Sequence, residues 1–188
     1  MATSLGAKIC FTRSDHPSGT DRIAEAASQL DDATHVLNIQ GDEPLLDPRL
    51  VDTLAKTLRE DRDLPMITAA SPVADQILID DPNIVKVTLT SSGDALYFSR
   101  SPIPFRRDPV PELPTYRHLG LYGYRSDFLK RFVSLPPSPL ERAEGLEQLR
   151  ALEDGARIHV LITEHQAPGL DSPDQVPLIE SLLSNCPT

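Results

Sequence analysis

Asn38-Ile39-Gln40-Gly41-Asp42-Glu43-Pro44 follows the apolar pair Val36-Leu37 and precedes a helix signal at Asp47-Pro48. The pattern predicts a buried strand over residues 35–40 that ends in a tight polar turn. In an open α/β sheet, ligands bind at the carboxyl ends of strands. A carboxylate placed there, Asp42, can hold a divalent cation together with substrate phosphates. The same residues also suit a plain turn, in which Gly41 supplies an unusual backbone angle and Asp42 caps the next element. The neighbouring segments decide between the two.

Downstream, Asp47 reads as an N-cap with Pro48 at the first helical position. Leu50, Val51, Leu54 and Leu58 form that helix's inward stripe. Upstream, residues 8–12 read as a short apolar strand and 13–19 as a polar loop. A helix is predicted over 20–30, with Ile23, Ala27 and Leu30 on one face and Ser18 and Asp21 resembling a capping box. Residues 66–71 predict a further strand. Residues 84–90 and 95–99 flank Ser91-Ser92-Gly93-Asp94, a hairpin signal. A proline-rich loop leads to a strand over 117–124. Gly120 and Gly123 in that strand suggest a bulge or the close approach of a ligand. Ser138-Pro139-Leu140-Glu141 starts a helix that is expected to run to about Asp154, with Gly155 ending it. A last strand is predicted over 157–163, and Ser172-Pro173-Asp174-Gln175 opens a C-terminal helix. Alternating strands and helices imply a mostly parallel sheet covered on both faces, with the hairpin as an antiparallel excursion.

The 188 residues suffice for one domain with a real core. A net charge of -10 argues against nucleic-acid or acidic-membrane binding, both of which need a basic face. The two cysteines, Cys10 and Cys186, lack metal-ligand spacing and do not suggest a disulfide framework. With no signal-peptide pattern and no bilayer-length apolar run, a cytoplasmic protein without membrane insertion is expected. The 18 prolines cluster in ordered loops and do not suggest a linker.

Asp15, Asp42 and Asp171 stand out among the acids. Asp42 and Asp171 could converge on one sheet edge and share magnesium, which favours one or two carboxylates with substrate oxygens. Asp171 equally suits a surface turn. His118 reads as a catalyst or as a satisfied structural group. Glu147 and Gln148 fall on adjacent helix positions, where composition alone gives a mid-helix glutamate only the reading of a solvated face. Arg100 reads as an anion clamp or as a surface charge. No G-x-S-x-G, no P-loop and no G-x-G-x-x-G is present, so metal-assisted phosphoryl chemistry remains.

The motifs together resemble one family. Residues 12–22, 38–44, 95–101 with Ile103-Pro104, 117–125, Ser138–Glu141 with 146–150, and 171–174 occur in the order found in the 3-deoxy-manno-octulosonate (Kdo) cytidylyltransferases. These are the CMP-Kdo synthetases of lipopolysaccharide biosynthesis. The resemblance implies a nucleotide-diphospho-sugar transferase-like, Rossmann-like α/β fold. It also implies transfer of CMP from CTP to Kdo with release of pyrophosphate, a magnesium cofactor and a homodimer. Asp42 and Asp171 match the family's metal-binding aspartates. Gln40, His118, Glu147 and Gln148 match its sugar-acid pocket, and Arg100 and Tyr122 are expected near it. Asp15, Ser18 and Gly19 match the loop that borders the cytidine. A related acidic sugar, such as a sialic acid, is the alternative substrate, and a non-catalytic binding module the alternative class.

Family members begin with a strand and a glycine- and arginine-rich loop ending in Lys-Pro-Leu, which grips the CTP phosphates. Nothing in residues 1–7 resembles it. The fold is therefore expected to be N-terminally truncated, with little activity in the 188-residue chain alone. Exposed sheet edges and marginal stability are expected with it.

Overall fold

The structure, a computed structural model, describes residues 4, 6–108, 110–164 and 175–184. In chain order it forms α1 (Gly19–Ser28), β1 (His35–Asn38), α2 (Pro48–Glu60), β2 (Met66–Val73), α3 (Gln76–Asp80), β3 (Lys86–Leu89), β4 (Ala95–Ser99), β5 (Thr115–Arg125), α4 (Ser126–Ser134), α5 (Pro139–Glu144), α6 (Gln148–Glu153), β6 (Ile158–Ile162) and α7 (Val176–Ser184). The strands make one six-stranded sheet in the order β4-β3-β5-β2-β6, with β1 also paired to β5. No described helix is long and apolar enough to cross a membrane.

The caps form as their sequences dictate. Ser18 Oγ accepts from the Asp21 amide, and Asp47 accepts from the Arg49 amide ahead of Pro48. Ser138 and Glu141 close a reciprocal capping box. On α2, Leu50, Leu54 and Leu58 are buried, and each contributes about 1.5–3 kcal/mol of apolar burial. Strand β2 is buried on both faces and divides the core in two. Ile67 and Ala69 pack with the α2 leucines. Met66 and Ala70 face the larger cluster, which includes Phe98, Tyr124, Phe128 and Phe132.

The sheet is mixed, but the expected predominance of parallel pairing is not found among the described strands. Only β2–β6 is parallel, while β5 runs antiparallel to β1, β2 and β3. A parallel neighbour requires a crossover connection. The chain instead links β3 to β4 by a turn and β4 to β5 by the proline-rich loop. The expected hairpin forms, with Gly93 at φ +84° in its turn. Its tip reaches across to β6: the Val160 amide donates to the Gly93 carbonyl at 2.9 Å, and Asp94 bridges His159.

Four local expectations are corrected. Residues 8–12 form no strand; Phe11 is 90% exposed, and Arg22 reaches back to Thr12 Oγ1 and the Arg13 carbonyl, fastening the segment to α1. Helix α1 ends at Ser28, so Leu30 lies beyond it and is exposed. The helix predicted over 138–154 is broken: Gly145, at φ +63°, ends α5, and a second helix starts at Gln148. Gly41 has no positive φ, and Asp47, not Asp42, caps the next helix.

Candidate active site

Strand β5 carries the centre of the site. The pairing with β2 jumps from Thr68↔Tyr122 to Ala69↔Leu119, so Gly120 and Leu121 form a bulge. Thr68 plugs it. Its hydroxyl lies 2.7 Å from the Leu121 carbonyl, 3.2 Å from that of Leu119 and 2.9 Å from His118 Nε2. Gly123 answers a different need. A Cβ there would sit 2.7 Å from Ile67 and 2.8 Å from Leu37, so its smallness serves packing on the opposite face, not the approach of a ligand.

The bulge presents an aromatic row. Phe98 meets the His118 ring edge-on at 5.0 Å, His118 lies 5.2 Å from Tyr122, and Tyr122 lies 5.9 Å from Tyr124. Desolvation drives the His118 pKa down to about 3, so the imidazole is neutral. Burial pushes the Tyr122 phenol well up; Tyr124 and the Glu147 carboxylate add to the shift. Glu147 acts on Tyr124 in the same way, which places its negative charge beside both rings.

Glu147 occupies the joint between α5 and α6 and makes no capping bond to α6. Its Oε2 accepts from Thr20 Oγ1 at 2.5 Å. Gln148 follows it and is buried. Thr20 is the second residue of α1, directly after Gly19, and a Cβ on Gly19 would lie 4.0 Å from Gln40 Nε2. That amide donates to Asn38 Oδ1 at 2.9 Å. The structure therefore gathers Gly19, Gln40, His118, Tyr122, Glu147 and Gln148 around the N-terminus of α1 and the end of β1. Ser18 is held there as the α1 cap.

Three expected residues are placed differently: two are exposed to solvent, and one is turned to backbone carbonyls. Asp15 is exposed, 3.8 Å from Arg13. Asp42 is exposed in the turn after Gln40. Arg100 directs its guanidinium at backbone carbonyls: Nε donates to Glu144 at 2.7 Å, and Nη1 to Pro82 at 2.9 Å. The Glu144 carboxylate accepts in return from the Arg100 amide and from Ser99 Oγ. Buried Lys86 donates to the carbonyls of Asp81, Ile84 and Arg100 and ties the hairpin base together, and Arg100 in turn joins that base to the end of α5. Asp171 lies outside the described residues. Among the described residues, no group of three or more His, Cys, Asp or Glu side chains could hold a metal. Magnesium needs only one or two carboxylates, and exposed Asp42 is a fitting donor of that kind.

Sequence reading missed Thr20, Thr68 and Glu144, each of which acts through a partner distant in the chain. For the two threonines the available signal was a hydroxyl that, once buried, must find a partner; Glu144 carried no such signal.

This is the fold of a nucleotidyltransferase. A family model described as cytidylyltransferase matches residues 1–158. The 3-deoxy-manno-octulosonate cytidylyltransferase of Solibacter usitatus (strain Ellin6076) is 49% identical over 181 residues, covering 96% of this chain and 71% of that protein. The solved structure of CMP:2-keto-3-deoxy-manno-octonic acid synthetase complexed with CTP superposes with a TM-score of 0.91. It is 38% identical, and the match covers 97% of this chain and 75% of the other. A structure from Bacillus anthracis, described as a glucose-1-phosphate thymidylyltransferase in complex with a sucrose, gives a TM-score of 0.61 at 12% identity. Covering all of this chain and 70% of that one, it bears on the fold alone. The chain belongs to the cytidylyltransferase family and, within it, to the 3-deoxy-manno-octulosonate cytidylyltransferases.

Proposed function

We propose that the chain transfers CMP from CTP to Kdo and releases pyrophosphate. The observation that carries this reading is the clustering of neutral His118, Tyr122, Glu147 and Gln148 beside the α1 N-terminus. A sugar acid presents several hydroxyls, which need such enclosed donors and acceptors. In the step proposed, the anomeric hydroxyl oxygen of the sugar bonds to the α-phosphorus of CTP. The bond from that phosphorus to the pyrophosphate oxygen breaks, and the hydroxyl proton is released to solvent.

Each side chain has a part that follows from its geometry. Neutral His118 donates through Nε2 to Thr68 and keeps Nδ1 to accept a sugar hydroxyl. The Glu147 oxygen not taken by Thr20 accepts another. Gln40 and Gln148 supply amide donors and acceptors, and the Tyr122 phenol, protonated at neutral pH, donates. The N-terminus of α1, with Ser18 and Gly19, offers its dipole to the nucleotide. Asp15 borders the cytidine side of that turn. Arg100 acts from behind, by holding the joint that carries Glu147. Asp42, with Asp171, would hold magnesium, which when bound offsets charge on the phosphate oxygens.

A cytoplasmic homodimer completes the reading. Its support is a cavity of about 740 Å³ between β2, α3 and the loop before β5, lined by Val73, Leu78, Ile79 and Leu113. Ile77 and Phe105, next to lining residues in sequence, are 79% and 88% exposed. Exposed apolar side chains of this kind, around a cavity that also carries Asp75, Arg106 and Arg117, suit a second copy.

Isothermal titration of Kdo and of a sialic acid, with magnesium, tests the substrate. Saturable binding of Kdo in preference to the sialic acid supports the proposal, and the reverse order overturns it. Pyrophosphate release on mixing CTP and Kdo separates transfer from sugar binding alone.

A further inference from the structure

We propose that Thr20 is a positioning residue for the sugar-acid site, fixing the Glu147 carboxylate against the N-terminus of α1. The inference rests on reading Glu147 as a sugar contact. Thr20 is 5% exposed, and its hydroxyl donates to Glu147 Oε2 at 2.5 Å across 127 residues of sequence. Its backbone is held by the helix cap, in which Ser18 Oγ accepts from the Asp21 amide, and Gly19 packs near Gln40.

Glu147 has one competing attraction. Arg150 Nη2 lies 3.7 Å from the other carboxylate oxygen, Oε1. That guanidinium is already committed to Glu141, at 2.6 and 2.8 Å, and to the Leu135 carbonyl. It stacks over Phe132 at 5.1 Å. With Thr20 in place, Oε2 is drawn to α1, and Oε1 is left for a substrate hydroxyl. Without the hydroxyl, the hydrogen bond that opposes the pull of Arg150 is lost, and the Tyr124 phenol beside it loses its Thr20 partner. The carboxylate swings toward the guanidinium and away from the sugar. Thr20 thereby sets the orientation of a group on the sugar side from the turn that borders the nucleotide.

The test uses the full chain and three variants: Thr20→Val, which keeps the shape and loses the hydroxyl; Thr20→Ser, which keeps the hydroxyl; and Glu147→Gln. Kdo affinity is measured by titration, and the amide resonances of residues 145–148 are recorded without ligand. Thr20→Val is expected to weaken Kdo binding about tenfold and to shift those amides, with Thr20→Ser within about twofold of wild type, on the scale of one hydrogen bond to a charged group. In a Glu147→Gln background, Thr20→Val should add little. Unchanged Kdo affinity and amide positions in Thr20→Val would overturn the proposal. So would a loss of the same size in both backgrounds. If wild type binds no Kdo, the substrate reading fails. The ligand-free amides then still decide Thr20: a shift in Thr20→Val that Thr20→Ser lacks supports it, and superimposable spectra overturn it.

Discussion

Thr68 Oγ1 and His118 Nε2 lie 2.9 Å apart across the β5 bulge, and the pairing sets the imidazole tautomer. The threonine proton goes to the Leu121 carbonyl at 2.7 Å, so the hydroxyl accepts from Nε2–H, and Nδ1 carries the lone pair. With its pKa lowered from 6.5 to about 3, folded His118 stays neutral where an unfolded histidine takes a proton. The depressed base therefore contributes stability above 6.5, and this is lost on acidification from 6.5 toward 3. His118 ring nitrogen shifts should be flat from about pH 8 to about pH 5. A titration centred near the free-histidine value would contradict the enclosure.

Thr68→Val should leave the Leu121 carbonyl and the His118 donor without their hydroxyl partner. The expected loss is about 1–3 kcal/mol, read as a lower urea midpoint at unchanged slope, with Thr68→Ser recovering most of it. Equal losses in both variants would point to packing instead of the hydroxyl.

Burial raises the Glu144 pKa, but hydrogen bonds from the Arg100 amide, Ser99 and Tyr97 outweigh it and hold the value below 4.5. A depressed carboxylate contributes stability above its unfolded value, lost as pH falls through the folded one. Glu144→Gln should cost roughly 1 kcal/mol at neutral pH, given the solvent screening of a partly exposed group. The gap from wild type should close below 4.5. A gap independent of pH would assign the loss to shape.

Two glycines should respond differently. Gly145→Ala forces an alanine into φ +63° and should cost about 1–2 kcal/mol. Because Gly145 precedes the Glu147 joint, Kdo affinity should fall too, with Gly145→Asn milder. Gly123→Ala meets Ile67 and Leu37 below 3 Å and should cost about 1–3 kcal/mol by overpacking. Its effect should appear in thermal melts and not in sugar affinity beyond that loss.

Features specified within a few residues were legible in the sequence. Ser18, Asp47 and Ser138 announce their helices because a cap satisfies amides two or three residues away. The β3–β4 hairpin follows from its turn. Strand direction was not legible, since β5 chooses its partners from distant segments. The break at Gly145 was hidden, because one glycine in a helical pattern does not reveal its φ. Arg100 shows the limit most clearly: an anion clamp and a brace on three carbonyls look the same in one dimension. Helices α3 and α4 went unmarked. Family motifs supplied His118 and Glu147, which spacing alone did not mark as site residues. The geometry then added Thr20 and Thr68, which only the fold brings to them.

The hairpin tip that docks on β6 through Gly93 and Asp94 closes a loop of contacts through β3, β5, β2 and β6. A ring of strands cannot lose one member cheaply. Residues 86–99 lack the freedom of an ordinary two-stranded flap, and their opening must strip β6 as well. The amides of Val87 and Val160 should therefore exchange with solvent in one concerted event, making the hairpin that sets Phe98 against His118 a fixed wall and not a moving door.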